Sequence, residues 1–533
     1  MSPKSVFRYI EDGTAQVAGS FSGFKPSLKT AVCKTPMFDY LTDRGFVDKY
    51  AAPQMTGWAP WRHAALELVN PIRDFDYSKL RLCKESFLMD ILDSNLDLSI
   101  LEPYDDFTTI NGCAGVAFVD KIARNTSAGN PDKCSKKKFL KLIPAVGDNM
   151  HPVEVSEEIW DRVRRITDCY LKGERAHPEF CAHLKDEAVT KEKALLGKTR
   201  VFTGAPFAFT IVVRKFLLSA CRLIQNNQFA FEAAPGIIVQ SRQWTRFYEH
   251  ITQFGTDRMV AGDYSKFDKK MSPVVILLAF EILIDLCKAS GNYSADDVKI
   301  LWGIAYDTAF PVVDFNGDLV QFYGSNPSGH PLTVIINSLV NSLYIRYSYL
   351  ELNPDREVRS FKSRVALMTY GDDNIMNIST SISWFHHTSI SNMLGSIGIG
   401  YTMPDKETES VPFIDISEAT FLKRRWVYND ELEAYLAPLE YDSIEKRLLT
   451  WTKSKTIWSG EQAIDIVRDS VTDFFFYGRK EFLRRKVFFQ TMVHHIECVD
   501  CDPSLGEHTL DVHVNESTFP TWSSLVKRFN SYE

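Results

Sequence analysis

The sequence lacks several features that would place the protein in a membrane or outside the cell. Its longest apolar stretch, residues 273–287, is too short to span a bilayer and is interrupted by Glu281 and Asp285. Residues 1–13 contain no apolar segment of the kind found in signal peptides. The 10 cysteines are scattered, which in an unsecreted protein indicates reduced thiols and not a disulfide framework. We therefore expect a cytosolic protein with no transmembrane segment of its own.

Tandem repeats and low-complexity segments are also absent from the 533 residues, of which 45% are apolar. A chain of this length exceeds one hydrophobic core and predicts several packed subdomains. The net charge of −7 does not suggest binding to nucleic acid, but lysine and arginine are concentrated at 133–141, 185–200, 423–425 and 479–486. A basic channel inside an acidic protein would suit a polyanion. Solvated surface faces are the alternative explanation for each cluster.

The apolar pattern predicts a mixed α/β (α+β) fold with a central antiparallel sheet. Residues 365–379 predict a β-hairpin with its turn at Gly371 and Asp372. Residues past about 430 are mostly helical in pattern. The other expected elements are a strand at 258–265, a helix at 272–287, a loop-rich stretch at 303–331 and a helix at about 332–349.

Two adjacent carboxylates, Asp372 and Asp373, lie at the tip of the predicted hairpin. Apolar residues on both strands would hold the hairpin in a core, while Gly371 permits the tight turn. Carboxylates this close raise each other's pKa unless cations neutralise them. Hard divalent ions such as Mg²⁺ prefer carboxylate oxygens and occur in pairs at sites of phosphoryl transfer. An Asp-rich surface turn is the alternative, because Gly-Asp-Asp alone is a weak signal.

A second acidic pair strengthens the metal hypothesis. Asp263 ends an apolar strand, and Asp268 follows five residues later in GDYSKFD. The two would face opposite ways along a continuous strand, but a turn after Tyr264 would let both approach one site. Strand-end aspartates from separate segments are what a two-metal site requires. Capping of the following helix is the alternative.

A polar stripe is predicted on the helix that begins near residue 332. Thr333, Asn337 and Asn341 recur at four-residue spacing among valine, isoleucine and leucine. Ser328 and Gly329 precede them in what reads as a flexible loop. Buried amides need partners, and a ribose and a base would supply them. Helix capping and interhelical hydrogen bonds are the alternative.

The order of these segments resembles the successive palm motifs of RNA-dependent RNA polymerases from picornavirus-like positive-strand RNA viruses. Two upstream segments, TSAGNP and LKDEAVTKEKALLGKTR, are similar to the fingers of that family, and the sequence most resembles the polymerases of insect dicistroviruses and iflaviruses. The match spans about residues 126–426 and is carried in the palm by GDYSKFD, PSGHPLTVIINS, YGDD, MPDK and FLKR.

The resemblance implies a right-hand polymerase with fingers, a palm built on a central antiparallel sheet flanked by helices, and a mostly helical thumb. The implied boundaries are fingers at 1–218, palm at 219–299, a fingers insertion at 300–325, palm again at 326–428 and thumb at 429–533. By the same resemblance, Asp263 and Asp372 would hold two Mg²⁺ ions, for which Mn²⁺ could substitute, and Asp373 would support them. Lys406 would be the general acid that protonates pyrophosphate. A solvated loop lysine is the alternative for Lys406.

Nucleotide and RNA contacts are implied residue by residue. The 2′-hydroxyl would be read by Asp268 and Asn337, with Ser328, Gly329 and Thr333 beside them. The triphosphate would contact Lys185, Lys193, Lys198 and Arg200. The template would pass Thr126, Ser127 and Gly129. The primer backbone would contact Lys423 and Arg424, for which a basic surface strand is the alternative.

The implied function is template-directed nucleotidyl transfer from NTPs to an RNA or protein-linked primer, which replicates a viral RNA genome. The implied partners are the template, the primer, NTPs, a genome-linked protein primer, other viral replication proteins and a second copy in a weak homo-oligomer. The implied location is the host cytoplasm at membrane-associated replication complexes. A catalytically silent RNA-binding scaffold and a reverse transcriptase are the other hypotheses. Reverse transcriptases carry a bulky aromatic residue where this chain has Asp268.

One further motif is a weaker candidate for a metal site than the carboxylates. His494, His495, Cys498 and Cys501 fall within eight residues, whereas structural zinc usually joins two separated pairs of ligands. Packing within the thumb is the interpretation that this spacing favours.

Overall fold

The computed structural model describes residues 1–11, 13–20, 29–72, 74–497 and 506–532. Short strands and helices alternate through the N-terminal part. They are β1 Ala15–Ser20, β2 Val32–Lys34, α1 Phe38–Thr42, β3 Tyr50–Ala51, α2 Ala59–Leu68, α3 Tyr77–Leu92, α4 Asp106–Asn111, β4 Leu140–Leu142, β5 Val153–Val155, α5 Glu157–Leu171, β6 Glu179–Leu184, β7 Val189–Thr190, α6 Lys191–Leu195, β8 Val201–Gly204 and α7 Phe207–Asn226.

Longer helices and the central strands follow. They are α8 Gln228–Phe231, α9 Gln243–Ile251, β9 Met259–Tyr264, α10 Phe267–Lys270, α11 Pro273–Ser290, α12 Ala295–Ala309, β10 Val312–Phe315, β11 Asp318–Phe322, α13 Thr333–Leu352, α14 Phe361–Arg364, β12 Val365–Tyr370, β13 Asp373–Ile378, α15 His387–Ser396 and β14 Tyr401–Thr402. The C-terminal part contains β15 Val427–Asn429, β16 Ala434–Leu436, α16 Tyr441–Leu449, β17 Thr450–Thr452, α17 Ser459–Phe475, α18 Arg479–Val493 and α19 Trp522–Asn530.

The central sheet has the strand order β12-β13-β9-β14, and every neighbouring pair is antiparallel. The predicted mixed fold with a central antiparallel sheet is therefore confirmed. The predicted strand, both predicted helices and the hairpin correspond to β9, α11, α13 and β12–β13. Gly262 in β9 is required by packing, because a Cβ there would lie 2.0 Å from the ring carbon Cζ of Tyr401.

The prediction of a loop-rich stretch at 303–331 is wrong for much of its length. Helix α12 continues to Ala309, and β10 and β11 then form an antiparallel hairpin. Asn316 and Gly317 form its turn with φ of +56° and +92°. An Asn-Gly pair between apolar strands is a strong hairpin signal, because both residues tolerate positive φ. The hairpin joins β1, β6 and β8 in a five-stranded sheet.

Helices α11 and α13 form the centre of the main core. Pro273 opens α11 at a position where its missing N–H costs nothing, and Gly291 with φ +76° ends it. Helix α13 is buried without interruption from Ile335 to Leu350. Within the described ranges, no helix is both long enough and apolar enough to cross a membrane.

A separate core lies in the C-terminal part and includes residues from the N-terminal part. Met37, Phe38 and Leu41 pack with the apolar faces of α16, α17 and α18, and β2 pairs with β17. Segment 32–41 therefore bridges the two ends of the chain. The domain boundaries given above stay predictions.

Candidate active site

The β12–β13 hairpin ends in the turn expected from the sequence. Tyr370 pairs with Asp373, and Gly371 takes a φ of +63° in the turn. On the neighbouring strand, Gly262 pairs with Asn374, so Asp263 lies beside the hairpin tip. Two strand ends therefore present carboxylates at the same edge of the central sheet.

Helix α13 holds this turn through Asn341. Its amide nitrogen donates hydrogen bonds to the three carbonyl oxygens of residues 371–373, at 3.0, 3.1 and 3.3 Å. Its amide oxygen accepts from the Tyr264 hydroxyl at 3.0 Å. One turn earlier, the Ser338 hydroxyl accepts from the Gly371 N–H at 2.9 Å. The interpretation of Asn341 as a ribose or base partner is therefore wrong, because its side chain joins the hairpin to β9.

Burial and mutual repulsion destabilise the charged carboxylates. Burial, with the charges of Asp372 and Asp263 as smaller causes, raises the pKa of Asp373 to about 6. Burial also raises the pKa of Asp372, with contributions from Asp263 and Asp268. Asp372 raises the pKa of its neighbour Asp373, as expected from the sequence, although burial is the larger cause. The site therefore favours a bound cation.

Lys406 provides one cation already. Its ammonium Nζ lies 2.6 Å from Asp263 Oδ2, although the lysine side chain is 66% exposed. Throughout the described ranges, no three His, Cys, Asp or Glu side chains come together as a ready-made metal centre. The donor chemistry nevertheless fits a hard divalent ion, since carboxylate oxygens carry excess negative charge here. Such an ion would offset the repulsion that raises the pKa of Asp372 and Asp373.

Asp268 and Asn337 are joined through Asn326, a residue that the sequence interpretation missed. The Asn326 N–H donates to the Asp268 carbonyl oxygen at 3.0 Å, and its side-chain amide donates to Asn337 Oδ1 at 2.7 Å. Burial raises the pKa of Asp268, while Lys269 and Arg200 lower it. Helix α10 begins after Lys266 with no side-chain cap, so capping does not explain Asp268. In the sequence, only the position of Asn326 within the segment GSNPSG indicates that it belongs to the site.

The loop before α13 is fixed against β8 and is not free, contrary to expectation. Ser328 Oγ accepts from the Thr203 N–H at 3.0 Å. A Cβ at Gly329 would lie 2.0 Å from the Thr203 carbonyl oxygen, so only glycine allows this approach. The Thr333 hydroxyl is directed at the Pro327 carbonyl oxygen, 2.8 Å away. Contact of these residues with a nucleotide stays a prediction.

Basic side chains predicted to meet the triphosphate lie along residues 185–200. Lys185 and Arg200 both pair with Glu187, at 2.8 and 3.2 Å. Lys193 and Lys198 are exposed. Because Arg200 also contributes to the pKa of Asp268, this segment lies within electrostatic reach of the acidic site.

Thr126, Ser127 and Gly129 line a cavity of about 1040 Å³. Lys136 donates to the Thr126 hydroxyl at 2.8 Å, which orients this wall. Gly204 and Gly329 line the same cavity, so it reaches the loop before α13.

A scan against protein-family models matches residues 93–484 to the viral RNA-dependent RNA polymerases. The chain belongs to this polymerase family. The resemblance inferred from the sequence motifs is thereby confirmed.

Individual relatives of the chain come from several virus groups. The chain is 30% identical over 390 residues to the replicase polyprotein of Cricket paralysis virus, covering 68% of this chain and 21% of the relative. It is 29% identical over 386 residues to the genome polyprotein of Deformed wing virus, covering 69% and 13%. The chain thus spans about a fifth or less of these relatives. A sicinivirus 3Dpol RNA-dependent RNA polymerase shares the fold, with a TM-score of 0.73 at 18% identity over 96% of this chain and 99% of that one.

The two residues predicted to contact the primer backbone differ in exposure. Lys423 is exposed. Arg424 is only 8% exposed, donates to the Ala437 carbonyl oxygen at 2.6 Å and lies 3.6 Å from Asp473. Arg424 is therefore not the exposed basic residue expected from the sequence, and its contact with the primer backbone stays a prediction.

The histidine-rich motif near the C-terminus is only partly described. His494 Nδ1 lies 3.0 Å from Asp511 Oδ2, and the ring of His495 lies beside Tyr40. The ring contact of His495 is of the packing type expected from the sequence, whereas His494 is exposed and makes a polar contact. Cys498 and Cys501 lie outside the described residues.

Proposed function

We propose that the chain catalyses RNA-templated RNA synthesis from nucleoside triphosphates, extending an RNA or protein-linked primer. The observation that carries the proposal is the placement of Asp263, Asp372 and Asp373 at one edge of the central sheet, with Lys406 paired to Asp263. Asp263 and Asp372 would hold two divalent ions, Mg²⁺ or Mn²⁺, with support from Asp373. When bound, such ions acidify the primer 3′-hydroxyl and neutralise phosphate charge.

Lys406 and the 185–200 segment would handle the triphosphate. The ammonium of Lys406 holds a proton at Nζ next to the acidic site, where it could pass to the departing pyrophosphate. Arg200 and Lys185 share one carboxylate, Glu187, so the group keeps a net positive charge. That charge would bind and orient the β- and γ-phosphates. Lys193 and Lys198 would add to the same field.

Asp268 and Asn337 would select the sugar. Asn326 donates to Asn337 Oδ1, which leaves the Asn337 amide nitrogen as the donor toward a ligand. A carboxylate accepts from a hydroxyl and an amide N–H donates to it, so the pair suits a 2′-hydroxyl. Ser328, Gly329 and Thr333 would hold the adjoining loop in place. The chain is therefore expected to prefer ribonucleotides.

The decisive experiment is nucleotide incorporation on a primed poly(A) template with Mg²⁺ or Mn²⁺. UTP should be incorporated, dTTP should be used poorly, and Asp372→Asn should lower the rate by at least about a hundredfold. Asp161→Asn on exposed α5 is the matched control and should leave the rate unchanged. A native chain that binds RNA but incorporates nothing, with either metal or with a peptide primer, would support the scaffold hypothesis instead.

Partners and location extend the proposal. A genome-linked protein would serve as primer, and other viral replication proteins would bind the chain, since it matches a segment of a replicase polyprotein. Self-association would be weak. The proposed location is the host cytoplasm, at membrane-associated replication complexes, with the membrane attachment supplied by those partners.

A further inference from the structure

A second cavity, about 500 Å³, lies in the C-terminal part of the chain and contains more arginine than carboxylate. It is bordered by α17 and α19 and reaches Leu439. Four arginines against two aspartates leave two positive charges. These residues are Arg424, Arg447, Arg468, Arg528, Asp469 and Asp473. None of the catalytic carboxylates lines this cavity.

The inner wall holds two guanidinium groups around one carboxylate. Arg447 donates to Asp473 Oδ2 at 2.6 Å, and Arg424 lies 3.6 Å from the other carboxylate oxygen. Asp473 is only 8% exposed. The Nε–H of Arg447 is buried and has no hydrogen-bond partner among the described residues. The Arg447 side chain as a whole is 31% exposed and lines the cavity, so its guanidinium group is partly accessible to a ligand there.

The outer wall adds two more accessible arginines. Arg468 forms ion pairs with Asp465 at 2.9 Å and with Asp469 at 3.5 Å, so its charge is partly neutralised. Arg528, in the last turn of α19, is exposed and makes no ion pair with any described residue. Asp465 and Asp469 offset the two outer arginine charges, so one net positive charge remains, and it lies on the inner wall where Arg424 and Arg447 surround Asp473.

We propose that this cavity binds a phosphate-bearing ligand of nucleotide size or smaller. Guanidinium groups match phosphate oxygens in geometry and retain their charge when buried. The volume suits a small molecule and is too small for a duplex. Phe475, Phe476 and Phe529 lie behind the remaining wall, where their rings are buried in the core. A free nucleotide and the terminal phosphate of an RNA strand share this chemistry.

Isothermal titration with inorganic pyrophosphate and with ATP tests the site. EDTA in the buffer keeps divalent ions off the catalytic carboxylates. The native chain should bind both ligands. Arg528→Gln and Arg468→Gln should each weaken binding by about tenfold, the loss of one charge-assisted hydrogen bond. Arg484→Gln removes an exposed arginine of α18 that does not line the cavity, and should leave binding unchanged.

Several outcomes would overturn the proposal. They are the absence of pyrophosphate binding, equal binding by Arg528→Gln and Arg468→Gln, or loss of binding in Arg200→Gln, which would move the ligand to the triphosphate site. The Asp372→Asn chain should bind pyrophosphate like the native chain, so this result is independent of polymerase activity. Competition with a short RNA identifies the source: displacement only by the 5′-phosphorylated form indicates an RNA end, and no displacement indicates a free nucleotide.

Discussion

Replacing Asn341 by aspartate should uncouple the catalytic hairpin from α13. Aspartate has nearly the same shape and keeps an acceptor for the Tyr264 hydroxyl, but it loses both N–H donors to the carbonyl oxygens of residues 371–373. Two lost hydrogen bonds account for about 2 kcal/mol of unfolding free energy. The new carboxyl group is fully buried against carbonyl oxygens and adds a desolvation cost, so we expect a total loss of about 3–4 kcal/mol.

The kinetic effect should be larger than the effect on nucleotide binding. A shift of about 1 Å in a catalytic group can lower a rate by about a hundredfold, so kcat should fall by that order. KM for the nucleotide should change little, because Asn341 acts on Asp372 and Asp373 through their backbone. Denaturation midpoints and single-nucleotide incorporation measure the two effects.

Ser342→Ala is the matched control for Asn341→Asp. Ser342 is the next residue of α13 and is fully buried, but its hydroxyl has no hydrogen-bond partner in the described part of the chain. Its replacement should leave both stability and kcat near the native values. Native kcat and an unchanged midpoint in Asn341→Asp would refute the positioning role.

Three further predictions concern stability. In the metal-free protein the pKa of Asp373 is raised to about 6, chiefly by burial. The folded state therefore binds this proton more tightly than the unfolded chain does. The free energy of unfolding should consequently fall as pH rises from about 4 to about 6. Asp373→Asn should flatten that slope in denaturation midpoints, and an unchanged slope would contradict the assignment. Gly329→Ala should destabilise the chain, because its Cβ would lie 2.0 Å from a backbone oxygen, whereas Gly395→Ala, with no such atom within 4 Å, should not. Arg346→Met should lower the free energy of unfolding by about 3–5 kcal/mol, because it leaves unpaired the two carboxylates that Arg346 contacts in the core. Arg164→Met, at an exposed position, should lower it by less than about 1 kcal/mol.

Elements that depend only on neighbouring residues can be predicted from the amino-acid pattern. The two apolar segments around Gly371 specify a hairpin because alternating side chains and a residue tolerant of positive φ are local requirements. The strand before Asp263, the helix at Pro273–Ser290 and the helix at Thr333–Leu352 follow from apolar periodicity in the same way. The order of the motifs was sufficient for the polymerase family, since each motif is short and continuous. The hairpin at 312–322 could also have been predicted from its Asn-Gly turn.

Tertiary structure alone decided which polar groups meet. Asn337 and Asn341 lie one turn apart and look equivalent in sequence, yet Asn326 binds the first and the hairpin turn binds the second. Lys423 and Arg424 are adjacent, yet one is exposed and the other is buried beside Asp473. Periodicity specifies which face of an element is apolar, but the partner of a polar side chain comes from a distant segment. That partner is chosen by the packing of whole helices and sheets, which no local pattern encodes.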